Sequence, residues 1–276
     1  MTSFTLKLIA IITMFIDHFG YAIMGQFSFF NLFGRLALPI FAFQISEGFI
    51  HTKSVKNYFF RLIIFALISQ IPFSLFTYYI VHANPYTLNV FFTLIFGLTS
   101  IYLYDLITKL FDKIYNDRIN KSNESTIGNT SKLQVQKSDT QKSNIPKSNS
   151  CFSNFTFVKL FGVVFGIIIA CTLAYCADFL NTDYGFWGVI VVFAFYVFKK
   201  NKVTSTIIFF LLCIAKYLIP FIQSGFNYLY ILLCLSTFES ICFINSYNGK
   251  QGKKIKYLLY IFYPLHLLLL YFFFRG

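Results

Sequence analysis

Nine runs of apolar residues, most of them long enough to cross a bilayer, follow one another along this chain. They cover roughly 4–24, 30–50, 60–81, 88–110, 157–180, 185–198, 204–221, 226–246 and 257–274. A hydrocarbon core about 30 Å thick takes about 20 apolar residues at 1.5 Å of rise per residue. In lipid the backbone must satisfy its own N–H and C=O groups, so such runs fold as helices. The prediction is an all-α polytopic bundle of about nine transmembrane helices, the sixth of them short. Composition points the same way: 57% of the 276 residues are hydrophobic and only 12% charged. A soluble core of this size cannot hide that much apolar surface.

The net charge of +13 does not imply a nucleic-acid partner, because the basic residues fall in the connections. Lys53, Lys56 and Arg61 follow the second run, Lys113 to Lys147 the fourth, Lys199, Lys200 and Lys202 the sixth, and Lys250, Lys253, Lys254 and Lys256 the eighth. The intervening connections hold no Lys or Arg. By the positive-inside rule the N-terminus is cytoplasmic and, with nine spans, the C-terminus is extracytoplasmic in a cell membrane. Residues 1–111 then form helices one to four with the candidate site, and 157–276 helices five to nine. Between them, 112–156 is rich in Lys, Ser, Asn, Thr and Gln. It is expected to be a disordered cytoplasmic loop, with its glycosylation triplets at Asn123, Asn129 and Asn154 unused. Asp17 and His18 interrupt the first apolar run, which reads as a retained span rather than a cleaved leader. Five of the six cysteines sit in apolar runs without a CxxC pair, which suits packing rather than metal or disulfide chemistry.

A charge near the bilayer centre costs about 2.5–3.5 kcal/mol on insertion scales, so each one needs a partner or a role. Lys7 and His18 lie eleven residues apart in the first run. They share one helical stripe, within about 20° of each other and separated by about 16 Å along the axis. Asp17 and Arg35 are expected at similar outer depth and able to pair. That pair is either a clamp pinning two helices or one wall of a polar pocket holding His18. Gln44, Glu47 and His51 share a face of the second span, near Lys7 and Arg61 at the cytoplasmic side. Glu47–His51 reads equally as a helix-end pair, and Lys7 as a side chain snorkelling to headgroups. Pro39 and Pro72 are expected to open their helices and free backbone groups around a cavity. Asn89 and Thr93 share a face at the start of the fourth span. Asp183 opens a turn, Asp183 to Trp187, with an aromatic interfacial anchor. Lys216 and Glu239 are expected to form an intramembrane pair. His266 lies near the middle of the last span, where a lone histidine is usually bonded to a neighbour.

These residues give the chain a resemblance to the TraX family of conjugation-associated membrane proteins. The stretches that carry it are the run from Leu6 to Asp17-His18, then Gly34-Arg35 through Pro39 to Phe43, then Glu47-Gly48-Phe49 and His51-Thr52. Arg61 through Ser69 to Pro72-Phe73 continues it. Asn89 with Thr93, Asp183-Tyr184-Gly185 with Gly188, and Tyr263-Pro264-Leu265-His266 are the later pieces. The resemblance implies a multi-spanning acetyltransferase, similar to enzymes that acetylate a pilin N-terminus and related to the wider acyltransferase-3 group. It makes His18 the catalytic residue and Lys7 and Arg61 contacts for acetyl-CoA. The wider group's paired arginines in the third span are represented here by Arg61 alone.

Acetyl transfer to an amine or hydroxyl needs a base near neutral pH, which an imidazole supplies. It also needs a donor for the developing oxyanion, for which Arg35 is the candidate, held by Asp17. The candidate catalytic set is therefore His18, Asp17 and Arg35. Candidate contacts for acetyl-CoA are Lys7, Arg61, Glu47 and His51, and candidate pocket residues are Gln44, Asn89, Asp183 and His266. No metal is implied. The expected partners are the lipid bilayer, acetyl-CoA and an acceptor such as a pilin, a peptide or a glycan. A proton-coupled transporter uses intramembrane charges and broken helices as well. A non-catalytic membrane factor for pilus or conjugation assembly is the third reading.

Overall fold

A computed structural model describes residues 1–134, 149–253 and 257–275, with side chains described outside 121–134 and 149–156. Ten helices run through them: α1 (Ser3–Met24), α2 (Phe30–Gly34), α3 (Ala37–His51), α4 (Val55–Tyr79), α5 (Val90–Gln134), α6 (Asn149–Phe179), α7 (Gly185–Val197), α8 (Lys202–Gln223), α9 (Leu229–Asn245) and α10 (Leu258–Phe274). Five have a described length and apolarity sufficient to cross a membrane, within α1, α4, α5, α6 and α8. Three more, α7, α9 and α10, are apolar but shorter. The helical membrane bundle expected from the sequence is the fold observed.

Local chemistry sets the helix ends. Thr2 caps α1 by accepting from the Thr5 N–H at 3.2 Å, and Gly25 closes it in the left-handed region at φ 64°, where a side chain would be strained. Asn201 caps α8 by accepting from the N–H groups of Val203 and Thr204. The start of α1 is also bound to the α9–α10 connection. Lys250 O accepts from Ser3 N at 2.9 Å and Gln251 O from Phe4 N at 3.1 Å, while Asn248 N donates to Met1 O. Two of the orphan donors at the helix start are thereby satisfied.

Proline 39 breaks the second span, though upstream of itself. The ring has no N–H, so the Arg35 carbonyl loses its i+4 donor, and α2 gives way to α3 at Arg35–Leu36. Pro39 then sits in the first turn of α3, where the missing N–H costs nothing. The second proline behaves differently from expectation: α4 continues unbroken through Pro72. The polar stretch at 112–156 also departs from the expected loop. Where it is described it is helical, as the continuation of α5 to Gln134 and the start of α6 at Asn149. A sequence rich in Lys, Asn and Ser extends a helix already nucleated in the membrane at little cost, because nucleation is the expensive step. The rest of that expected loop, 135–148, lies outside the described residues.

The chain divides into two compact units, Met1–Ile101 with Cys171–Gly276, and Tyr102–Ala170. In the first, α1 packs against α2, α3 and α10; α4 packs on α10; α3 on α7 and α9; and α8 on α7 and α9. Close approaches rely on glycine. A Cβ at Gly97 would meet Val192 at 2.8 Å, and one at Gly34 would overlap the Asp17 carboxylate. In the second unit, the outer parts of α5 and α6 meet where Gly162 faces Phe111 and Gly166 faces Tyr104. The outward face of α4 carries Phe60, Ile64, Leu67, Ile68 and Ile71. Its inward face, Leu62, Ala66, Phe73 and Phe76, is equally apolar. A helix greasy all round suits lipid on one side and protein on the other.

Candidate functional site

Polar side chains from five parts of the first unit form one linked cluster, and some of them border a small cavity. From α1 come Asp17, His18 and Tyr21, and from the α2–α3 break comes Arg35. The α6–α7 connection supplies Asp183 and Tyr184, α8 supplies Lys216 and Tyr217, and α10 supplies Tyr263 and His266. The cavity, of about 30 Å³ and bordered by Asp17, His18, Gly34, Asp183, Tyr184 and Tyr263 among others, has room for about one or two waters. Asp183 borders the cavity and is an exposed residue, so it faces open space rather than packed atoms.

His18 sits where polar and aromatic surroundings meet. Its Nδ1 lies 2.8 Å from His266 Nε2, and His266 Nδ1 lies 2.8 Å from the Phe262 carbonyl one turn back. The two imidazoles are nearly parallel, 25° between planes with centroids 5.0 Å apart. Phe76 meets His18 edge-on at 5.3 Å, and Phe262 stacks on His266 at 4.8 Å. His266 is buried, at 3% exposure, while His18 is only partly covered because it borders the cavity.

The expected Arg35–Asp17 ion pair is not formed. Asp17 Oδ1 instead accepts from Asn31 Nδ2 at 3.0 Å, and the same amide donates to the Asp17 carbonyl at 3.1 Å. Asn31 is fully buried and was not a sequence candidate. Arg35 lies in the electrostatic field of Tyr184, Asp17, Tyr217 and Tyr21. Its Nε–H is buried without an acceptor among the described residues. An unmade bond of that kind costs about 1–3 kcal/mol, so the group is poised to meet something else.

Lys216 corrects a second pairing. Glu239 is exposed on α9, whereas Lys216 Nζ lies 3.9 Å from the Trp187 ring, 4.9 Å from Tyr184 and 5.5 Å from Tyr217. The ammonium is held in a three-ring cage within the field of Asp183 and Arg35. The Asp183–Trp187 turn is tied into the bundle. Trp187 Nε1 donates to the Leu212 carbonyl of α8 at 2.8 Å, and the turn is fixed by Asp183 N donating to Leu88 O at 2.8 Å. Burial pushes the Asp183 carboxyl up to about 6, with Arg35 and Lys216 pulling the other way.

The remaining candidates lie elsewhere. Gln44 Oε1 accepts from Ser3 Oγ at 2.8 Å and its Nε2 donates to Ser3 O at 3.2 Å, so it clamps α3 to α1. Asn89 donates to Ala66 O and Gln70 Oε1 and accepts from Phe91 N, tying the start of α5 to α4. Both amides are consumed structurally, and neither borders the cavity. Glu47 meets His51 at 3.4 Å. Arg61 stands over the Tyr58 ring at 5.6 Å and lies in the electrostatic field of Tyr260. Lys7 is half-buried on α1 and bonds none of these. Apart from Glu47–His51, no hydrogen bond or ion pair joins these four candidates to one another among the described residues.

Comparison with known proteins gives two matches. Residues 3–111 and 153–273 fit the family model described as TraX protein. A 76-residue stretch is 38% identical to “Probable fimbrial assembly protein FimC, serogroup H1” of Dichelobacter nodosus. That stretch is 26% of this chain and 31% of the relative, so the chain spans about a third of the relative it matches. No solved structure matches.

Proposed function

The chain belongs to the TraX family, and on that premise we propose that it is an integral membrane acetyltransferase. It moves an acetyl group from cytoplasmic acetyl-CoA to an amine or hydroxyl, as on a pilin or peptide N-terminus or a surface glycan. The observation that carries this reading is a partly open imidazole, His18, bordering a polar cavity deep in an apolar bundle. Intramembrane ionisable groups of this kind are costly unless they work. His18 accepts the nucleophile's proton as the new bond to the acetyl carbon forms. The Arg35 guanidinium, with an N–H to spare, meets the oxyanion. The carbon–sulfur bond then breaks, and the proton passes from His18 to the departing thiolate. Lys7 and Arg61, toward the end of the bundle where the basic connections lie, are the groups offered to the donor's phosphates. A water-sized cavity is smaller than an acetyl thioester, so binding must part the helices around the Arg35–Leu36 break.

The test combines the purified protein in nanodiscs with radiolabelled acetyl-CoA, and mass spectrometry of surface material from cells with and without the gene. Expected are thioester consumption and a lost acetyl group, both abolished by His18→Ala. Identical acetylation inventories and an inert thioester overturn the reading. The second reading is a non-catalytic factor in pilus assembly in the cell membrane. The likeness to a fimbrial assembly protein and the small cavity favour it. It requires that His18→Ala leave assembly intact.

A further inference from the structure

We infer that His266 is the positioning residue that fixes the tautomer of His18 and thereby keeps a bare nitrogen available to the reacting groups. The inference rests on His18 being the base of the transfer proposed above, but its geometry stands independently. The argument is one of hydrogen bookkeeping. A carbonyl oxygen can only accept, so the 2.8 Å contact between His266 Nδ1 and Phe262 O is an N–H of His266 donating. A neutral imidazole carries one proton, so His266 Nε2 holds a lone pair. The 2.8 Å contact from that atom to His18 Nδ1 must then be His18 donating. His18 Nε2 is left unprotonated, and it is the free ring nitrogen on the residue that borders the cavity.

This is the reverse of what an isolated histidine prefers, since free imidazole side chains favour the proton on Nε2. Without His266, the nitrogen needed as base would be capped. The role matches that of a buried carboxylate behind a catalytic histidine, which holds the ring in one tautomer and one orientation without itself taking the proton. Here a carbonyl and a second imidazole do it without adding a buried negative charge. The Phe262 ring, stacked 13° from parallel on His266, and Phe15, edge-on at 6.2 Å, hold that ring in place. In the transfer step the nucleophile's proton binds His18 Nε2, the Nδ1 proton stays on His18 and keeps donating to His266 Nε2, and the thiolate removes the Nε2 proton when it leaves. Sequence alone gives no hint of this pairing, because the two residues are 248 positions apart.

The test reads the tautomer directly and the rate separately. Nitrogen-15 spectra of histidine-labelled protein in nanodiscs distinguish protonated from bare ring nitrogens, and with four histidines a His18→Ala spectrum assigns the signal. Expected is His18 protonated at Nδ1 in the wild type and in His266→Gln, whose amide oxygen replaces the acceptor. In His266→Leu the proton is expected on Nε2. His266→Leu should lower kcat by about 10²- to 10⁴-fold, with KM little changed, and His266→Gln should recover at least about tenfold of that. A wild-type His18 carrying its proton on Nε2, or equal rates for the Leu and Gln variants, overturns the inference. The expected tautomers in a protein that consumes no thioester overturn the transferase reading alone and leave the orientation by His266 standing.

Discussion

Two groups of buried polar residues in this bundle behave in opposite ways. Gln44 and Asn89 lie among packed helices with both ends of their amides engaged, by Ser3 in one case and by Ala66, Gln70 and Phe91 in the other. Around His18 the bonding is incomplete: Arg35 Nε has no acceptor, and Asp183 faces open space. Lipid punishes an unmade hydrogen bond more than water does. Satisfied amides therefore explain themselves as struts, whereas the unsatisfied cluster needs a ligand or a reaction to account for it.

The sharpest way to break that contrast is to remove one member from each group and compare rate with stability. His18→Ala should reduce acetyl transfer by about 10²- to 10⁴-fold while leaving the melting temperature in detergent nearly unchanged. Loss of folding with that substitution would place His18 among the struts. Arg35→Met comes next, with kcat expected to fall by about 10²- to 10³-fold and thermal stability to hold or rise, since an unsatisfied buried donor disappears. A large drop in stability would count against the oxyanion role. Asn89→Leu should do the reverse, destabilising the fold by about 1–3 kcal/mol through the groups it leaves unpaired and sparing kcat per folded molecule. Equilibrium unfolding and single-turnover rates on the same preparations decide it.

The smallest expected effect concerns Asp183. Its carboxyl is held at about 6 in the fold against an ordinary 3.8, so between those values the native protein binds more protons than the unfolded chain. Stability should then fall as pH rises from about 4 to about 6. Asp183→Asn should flatten that window, and thermal melts at stepped pH would show it. An unchanged slope would mean the carboxyl is not perturbed in the fold.

What could be read in advance divides along physical lines. Apolar runs dictate helices in lipid whatever their neighbours, so the spans were legible, as was Pro39 as the cause of the break. Which side chains meet across the bundle was not. Lys216 stands out as a lone cation in an apolar helix, but its partners depend on how α8 is rotated, and the cage of Trp187, Tyr184 and Tyr217 carries no charge to advertise itself. Asp17 fitted Arg35 by depth, yet Asn31, an unremarked amide fourteen residues away, reached it first. The helical continuation of α5 escaped because composition reports solubility better than it reports local backbone preference. The functional assignment of Lys7 and Arg61 still rests on resemblance, with Arg61 occupied by Tyr58 and Tyr260.

The backbone bonds between Met1–Phe4 and 248–251 carry a practical lesson. One imidazole hangs from the helix that starts at this knot, and the other from the helix the knotted connection leads to. Both are thus surveyed from a common benchmark, and a contact of 2.8 Å between residues at opposite ends of the sequence tolerates little drift in it. Substituting Gly252, where a Cβ would meet Thr2 at 2.6 Å, would shift that benchmark and be felt toward the far end of α1, where the rings meet.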